Sequence, residues 1–234
     1  MAIAELRERV FEANREIVKA GLVVLTFGNT SAVDRAAGVM AIKPSGVPYD
    51  ALDPDSMVLV DLESGEAREG DARPSSDTPT HLVLYRAFEQ VGGIVHTHSP
   101  FATAWAQARR EIPCLGTTHA DHFRGPVPVT RELTGEEIGG DYERRTGDVI
   151  VETVTGLGPD PLERPAVLVA SHGPFAWGAD AEKAVENAIA LEVVAESSLR
   201  TELLRPGAEQ VQPDLLNRHF LRKHGPGAYY GQRS

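Results

Sequence analysis

With one cysteine in 234 residues, Cys114, the chain has no means of forming an intrachain disulfide, which suits a reducing, cytoplasmic setting. Burial as a small apolar residue is the ordinary place for such a thiol. Long apolar runs are missing too. Gly21 to Phe27 and Ile189 to Val194 fall far short of the ~20 residues that cross a bilayer, so no membrane span is expected. Glu5, Arg7, Glu8 and Arg9 stand where a signal peptide needs its apolar core, so the mature chain is expected to begin near residue 1. Positive charge is scarce: 23 Lys and Arg against 34 Asp and Glu leave a net charge of −11. Nucleic acid would be repelled over most of such a surface, whereas an anionic small molecule remains possible in a pocket with local donors or a metal. What is present is ordinary for a folding chain, with 41% hydrophobic and 24% charged residues.

Leu6, Val10, Ala13 and Ile17 recur at three- and four-residue spacing and predict a helix over 3–20, stopped by Gly21. Short β-prone runs follow at 23–26, 39–42, 57–61, 94–98, 149–153 and 167–170, separated by turn residues. Thr78-Pro79 opens a helix to about Gln90, and further helices are expected at 102–109, at 181–204 behind the cap Asp180, and from Asp214 to just before Gly225. No repeat, low-complexity tract or long linker divides the chain, so residues 1–234 read as a single α/β domain. Many of the strands lack the intervening helix that a parallel crossover needs, which predicts a mostly antiparallel or mixed sheet.

The chemistry concentrates in a few polar segments. His96 and His98 lie two apart at the end of an apolar run, and residues i and i+2 of a strand share a face, so both imidazoles can meet one ion. Alone the pair is a weak signal, and surface or hydrogen-bonded histidines are its more ordinary reading. His172, just after the apolar run 167–170, adds a third imidazole, and three histidines with an open position form a catalytic rather than a closed metal pattern. Ser75-Ser76-Asp77-Thr78-Pro79-Thr80 is either a helix cap or an anion site at a helix N-terminus. Gly28-Asn29-Thr30-Ser31 and Lys43-Pro44-Ser45-Gly46 are likewise turns, or donors of amides, hydroxyls and one ammonium to a phosphate. Asp121, in a polar loop with His119 and His122, is a backbone-bonding carboxylate or an acid/base group. Tyr229-Tyr230-Gly231-Gln232 either packs for stability or offers a phenol for proton transfer.

In this order the segments resemble the class II sugar-phosphate aldolase and epimerase superfamily over nearly the whole chain. The resemblance is carried by Gly28 to Asp34, Ile42-Lys43-Pro44-Ser45-Gly46-Val47, Pro74 to His81, Gly93 to Ser99, Gly116 to Asp121, Ser171 to Gly178, Leu221 to Gly225 and Tyr229 to Gln232. It implies a central sheet with helices on both sides. It also implies zinc, with Mn2+ or Co2+ as alternatives, held by His96, His98 and His172 with Asp77 as the carboxylate at the metal. Gly28, Asn29, Ser45, Gly46, Ser75 and Ser76 would bind the phosphate, with Lys43 close by. Asp121 and Tyr230 would be the acid/base pair on opposite faces of the substrate, with His219 a further candidate. A C4 homotetramer with sites between subunits is implied, so Asp121 and Tyr230 need not come from the subunit that holds the metal. Aldolases of the superfamily tend to carry glutamate where this chain has the shorter Asp77, which points to the epimerase branch. Its reaction inverts C4 of a phosphorylated ketopentose by C3–C4 cleavage and re-addition, in L-arabinose catabolism or an ascorbate-type pathway. The chain departs from its relatives in having Phe27 where tryptophan is frequent, in the loop 156–165, and in Arg233-Ser234 past the usual end.

Two other readings share these residues. An aldolase would cleave a ketose 1-phosphate and release both products. A scaffold protein would use the histidines as a closed structural site, and chelation would then unfold it rather than merely inactivate it.

Overall fold

The computed structural model describes residues 2–69 and 72–231; Gln232, Arg233 and Ser234, named above as part of the tail, lie outside the described residues. Along the chain run α1 (Ile3–Lys19), β1 (Asn29–Asp34), β2 (Val39–Ile42), β3 (Val58–Asp61), β4 (Ala67–Glu69), α2 (Thr78–Ala87), β5 (Gly93–His96) and α3 (Pro100–Ala108). They are followed by α4 (Thr117–His122), α5 (Gly135–Gly139), α6 (Tyr142–Thr155), β6 (Ala166–Val169), β7 (Gly173–Gly178), α7 (Ala181–Leu204) and α8 (Pro213–His224). Among the described residues the strands form one seven-stranded sheet, ordered β4-β3-β2-β1-β5-β7-β6. Every strand pairing is antiparallel, as the missing crossovers predict.

Both faces of this sheet are covered. Val39 and Ala41, Val95, Leu168 and Ala176 pack with α1, α3 and α7, while their neighbours Met40 and Ile42, Ile94, Val167 and Val169, Phe175 and Trp177 pack with α2 and α6. Alternate residues therefore enter different cores, which is why strands such as 39–42 are apolar throughout instead of alternating with polar residues. Helix α1 buries Leu6, Val10, Ala13 and Ile17 on one stripe, each large apolar side chain contributing about 1.5–3 kcal/mol. On the same stripe Asn14 is fully buried: its Oδ1 accepts from the Thr30 amide at 3.1 Å and its Nδ2 donates to Val10 O at 2.8 Å, so α1 is tied to the first turn of β1. No helix of the described residues is long and apolar enough to cross a membrane.

Three expectations are corrected. Residues 23–26 form no strand: Val24 and Leu25 are exposed, Leu25 sits at φ +57, and the strand begins only at Asn29. The polar run Asn29–Asp34 takes the central place because its side chains find partners inside the fold. Ser31 Oγ lies 2.7 Å from His81 Nδ1 and 2.8 Å from Tyr85 Oη. Val149 to Thr153 is helical, in the middle of α6; Thr146, Val149, Ile150 and Val154 are buried at helical spacing, and packing on α2 overrides the β-branched run. Gly147 permits this packing, since a Cβ there would come within 2.7 Å of Val83 Cβ. The loop around Asp121 is helix α4.

Candidate active site

At one end of the central strands, Asn29 opens β1, His96 closes β5 and His172 immediately precedes β7; Asn29 is directly opposite His96 in the ladder. Ser171, at φ +61, turns the chain between β6 and β7 and delivers His172 to this end. Gly28 is required beside it: φ is +85, and a Cβ would lie 2.7 Å from His96 O. The imidazoles of His96, His98 and His172 form a triangle with centroid separations of 5.0, 4.8 and 5.1 Å, and their nitrogens lie within 4.8 Å of one another. His96 Nδ1 lies 2.9 Å from Pro174 O, which places its proton there and leaves Nε2 as the free lone pair. Burial, with the neighbouring imidazoles, pushes His172 down to about 4 and lowers His98 as well. Neutral imidazole is the form that binds a metal. These three donors fit a divalent ion with an open side toward the cleft.

Asp77 stands at the N-cap position of α2 but makes no side-chain cap bond. Its Oδ2 instead accepts from Asn29 Nδ2 at 2.6 Å and lies 3.9 Å from His96 Nε2. Burial opposes its charge, but His96, His81 and the Asn29 hydrogen bond outweigh it and hold the carboxyl below its ordinary value. A carboxylate that forgoes its own helix end to face three imidazoles is placed for a cation. Asn29 Oδ1 beside it is buried without a partner.

A cleft of about 440 Å³ is lined by the histidine triangle and Asp77, and also by Gly28, Asn29, Lys43, Ser45, Gly46, Ser75 and Ser76. The separate segments singled out in the sequence therefore meet. Segments 43–45 and 73–75 are laced together by Ser45 N donating to Arg73 O at 2.8 Å and Ser75 N to Lys43 O at 3.0 Å. Those two amides are thus committed, and Asn29 Nδ2 gives its two protons to Ser75 Oγ at 3.0 Å and to Asp77 Oδ2; the donors left to the cleft include hydroxyls and the Lys43 ammonium. Lys43 is buried, and burial lowers its pKa.

Tyr142 and Glu143 also line the cleft, and sequence reasoning misses both. They start α6, where the sequence pattern suggests loop and strand, and they overhang the site because Thr80 Oγ1 donates to Glu143 O at 2.5 Å and Gly147 lets α6 close on α2. Tyr142 Oη is 3.4 Å from His172 Nδ1. Only a correct α6 would have revealed them.

Asp121 and Tyr230 do not line this cleft. Asp121 receives two parallel bonds from Arg222, Nε to Oδ1 at 2.9 Å and Nη2 to Oδ2 at 2.7 Å, with His219 Nδ1 at 3.1 Å. Burial works against its charge, but Arg222 and His219 prevail and lower its pKa. The Tyr230 ring lies 4.1 Å from the same guanidinium. Asp121, His219, Arg222 and Tyr230 thus form a second cluster, between α4 and the end of α8.

Three imidazoles positioned for a metal at the ends of antiparallel strands, beside a hydroxyl-rich cleft, fit a class II aldolase, a class of typically divalent-metal-dependent enzymes acting on sugar phosphates. The chain belongs to the class II aldolase and adducin N-terminal domain family, which matches residues 8–199. Its structure is similar to that of an L-fuculose 1-phosphate aldolase, with TM-score 0.78 and 23% identity over 94% of this chain and 96% of that one. It is also similar to YgbL from Klebsiella pneumoniae, a protein not assigned among aldolase, epimerase and decarboxylase, with TM-score 0.72 and 26% identity over 93% and 99% of the two chains. The L-fuculose-1-phosphate aldolase of Thermus thermophilus gives TM-score 0.67 and 23% identity over 89% and 100%.

Proposed function

We propose that the protein is an L-ribulose-5-phosphate 4-epimerase, interconverting L-ribulose 5-phosphate and D-xylulose 5-phosphate in L-arabinose catabolism in the cytoplasm. The observation that carries this reading is Asp77, a short carboxylate held by Asn29 beside the histidine triangle and in the same cleft as the anion loops. Tethered there, it is a partner for the metal rather than a base reaching for substrate carbon, the role given to the longer glutamate of aldolases. Zinc, with Mn2+ or Co2+ able to substitute, would be held by His96, His98 and His172 with Asp77 alongside. When bound it supplies Lewis acidity for the electron pair released on carbon–carbon cleavage.

C4 of the substrate carries no proton acidified by an adjacent carbonyl, so inversion by simple deprotonation meets a very high barrier. Breaking C3–C4 avoids it. The C4 hydroxyl gives its proton to a base, the C3–C4 electron pair stays with the ketone fragment, and C4 becomes the aldehyde carbon of glycolaldehyde phosphate. Gly28, Asn29, Lys43, Ser45, Gly46, Ser75 and Ser76 hold the phosphoryl end while the aldehyde turns its other face. Re-addition then forms C3–C4 again, and the new C4 oxygen takes a proton from the opposite side. Asp121 and Tyr230 are assigned these two transfers. Since both stand outside their own chain's cleft, we assign them to the cleft of a neighbouring subunit in a C4 homotetramer.

The test is turnover of L-ribulose 5-phosphate by metal-analysed protein, following D-xylulose 5-phosphate and free glycolaldehyde phosphate before and after chelation and zinc re-addition. Metal-dependent interconversion without free aldehyde is expected. Release of free aldehyde would make the protein an aldolase, and loss of fold on chelation would make the metal structural.

A further inference from the structure

The two anion loops of the cleft share one brace that does not line the cleft. Tyr49 opens the short turn Tyr49–Ala51 between β2 and β3. Its hydroxyl donates to Gly28 O at 2.8 Å, with Phe27 O at 3.3 Å, and its ring lies 4.7 Å from Lys43 Nζ. One side chain therefore touches both the Phe27–Gly28 turn and the buried ammonium, which are otherwise on separate loops. Burial pushes the phenol far up, so the hydroxyl remains a donor at any physiological pH.

The environment of Lys43 gives this brace its consequence. The ammonium donates to Val47 O at 2.8 Å and Pro44 O at 3.3 Å, and no carboxylate among the described residues pairs with it. An ammonium has three donors. Two carbonyls and an aromatic face thus hold a buried positive charge that no carboxylate of the described residues pairs with, with one donor left for a ligand. On its other side Gly28 abuts His96 O, so the turn braced by Tyr49 is the one that borders the metal ligands.

We propose that Tyr49 is a positioning residue for phosphate: it fixes the distance between the Phe27–Gly28 turn and Lys43, and so sets affinity for the phosphoryl end of the substrate without acting on the metal side. The proposal rests on the phosphate reading above. Its test is calorimetric titration of the full, metal-loaded protein with inorganic phosphate, in the parent, Tyr49→Phe and Tyr49→Leu, with kcat, KM and metal content measured alongside.

Tyr49→Phe keeps the ring and loses the hydrogen bond, so phosphate affinity should fall about two- to tenfold. Tyr49→Leu loses both and should fall about tenfold or more. KM should rise in parallel while kcat and metal content stay at parental values. Unchanged phosphate affinity in Tyr49→Phe overturns the proposal, as does a fall in kcat and metal content that tracks the loss of affinity, which would mark Tyr49 as merely structural. The titration needs no turnover. If the parent binds phosphate but does not convert the ketopentose phosphate, the reaction assignment fails while the role of Tyr49 is still decided by the variants; if the parent binds no phosphate, the proposal falls whatever its turnover.

Discussion

Asp77 and Asp121 are two partly enclosed carboxylates satisfied in opposite ways. Asp121 has a bidentate guanidinium and an imidazole, so its charge is matched within the protein. Asp77 has one neutral donor, Asn29, and lies among imidazoles, of which burial lowers the pKa of His81 and His172; no Arg or Lys pairs with it among the described residues. A matched carboxylate holds structure together, and an unmatched one recruits a cation. The comparison separates a pre-assembled polar joint, between α4 and α8, from a site whose donors are positioned for an ion.

Breaking the metal side should have the largest effect. His96→Ala removes the most buried corner of the triangle, and we expect loss of stoichiometric metal with activity down by about a thousandfold or more, while circular dichroism stays close to parental. The two aspartates should then cross over. Asp121→Asn is expected to lower kcat by about 10²–10⁴ with metal content unchanged. Asp77→Asn is expected to weaken metal affinity by about 10–100-fold, with activity regained at high metal concentration. Metal analysis beside kinetics reads both, and a loss of metal from Asp121→Asn would erase the distinction between the clusters.

How much of this is legible in the chain depends on how local each signal is. The three histidines are legible because ligand type and position at apolar strand ends are local, and α1 and α7 are legible from periodicity and caps. Strand β1 is hidden: Asn29, Thr30 and Ser31 read as a turn, and only partners on α1 and α2 make them a central strand. Helix α6 is hidden by its own β-branched residues, and Tyr142 and Glu143 are lost with it. The pairing of Asp121 with Arg222 joins residues 101 apart, a distance at which spacing carries no information.

Smaller effects should follow from packing near the cleft. Gly147→Ala puts a methyl group against Val83, an overpacking that costs about 1–3 kcal/mol and should lower Tm. Because α6 carries Tyr142 and Glu143, its displacement should also raise KM, whereas metal content should hold.

The mildest test bears on the joint between α7 and α8. Glu186 bridges Lys183 Nζ at 2.8 Å and Lys223 Nζ at 2.9 Å. Burial raises its pKa, but the two lysines outweigh burial and bring it down to about 2, against an ordinary 4.5. Between these values the unfolded chain binds the proton more readily than the folded one. The stabilisation from Glu186 is therefore complete above about pH 4.5 and is lost as pH falls toward 2. Glu186 is partly exposed, so the effect should be small and weakened by salt. Thermal melts of the parent and Glu186→Gln should differ at about pH 6 and converge as pH falls below about 4. A constant offset over that range would mean that the carboxylate serves by shape, and that the polar joint around Asp121 does not extend to α7.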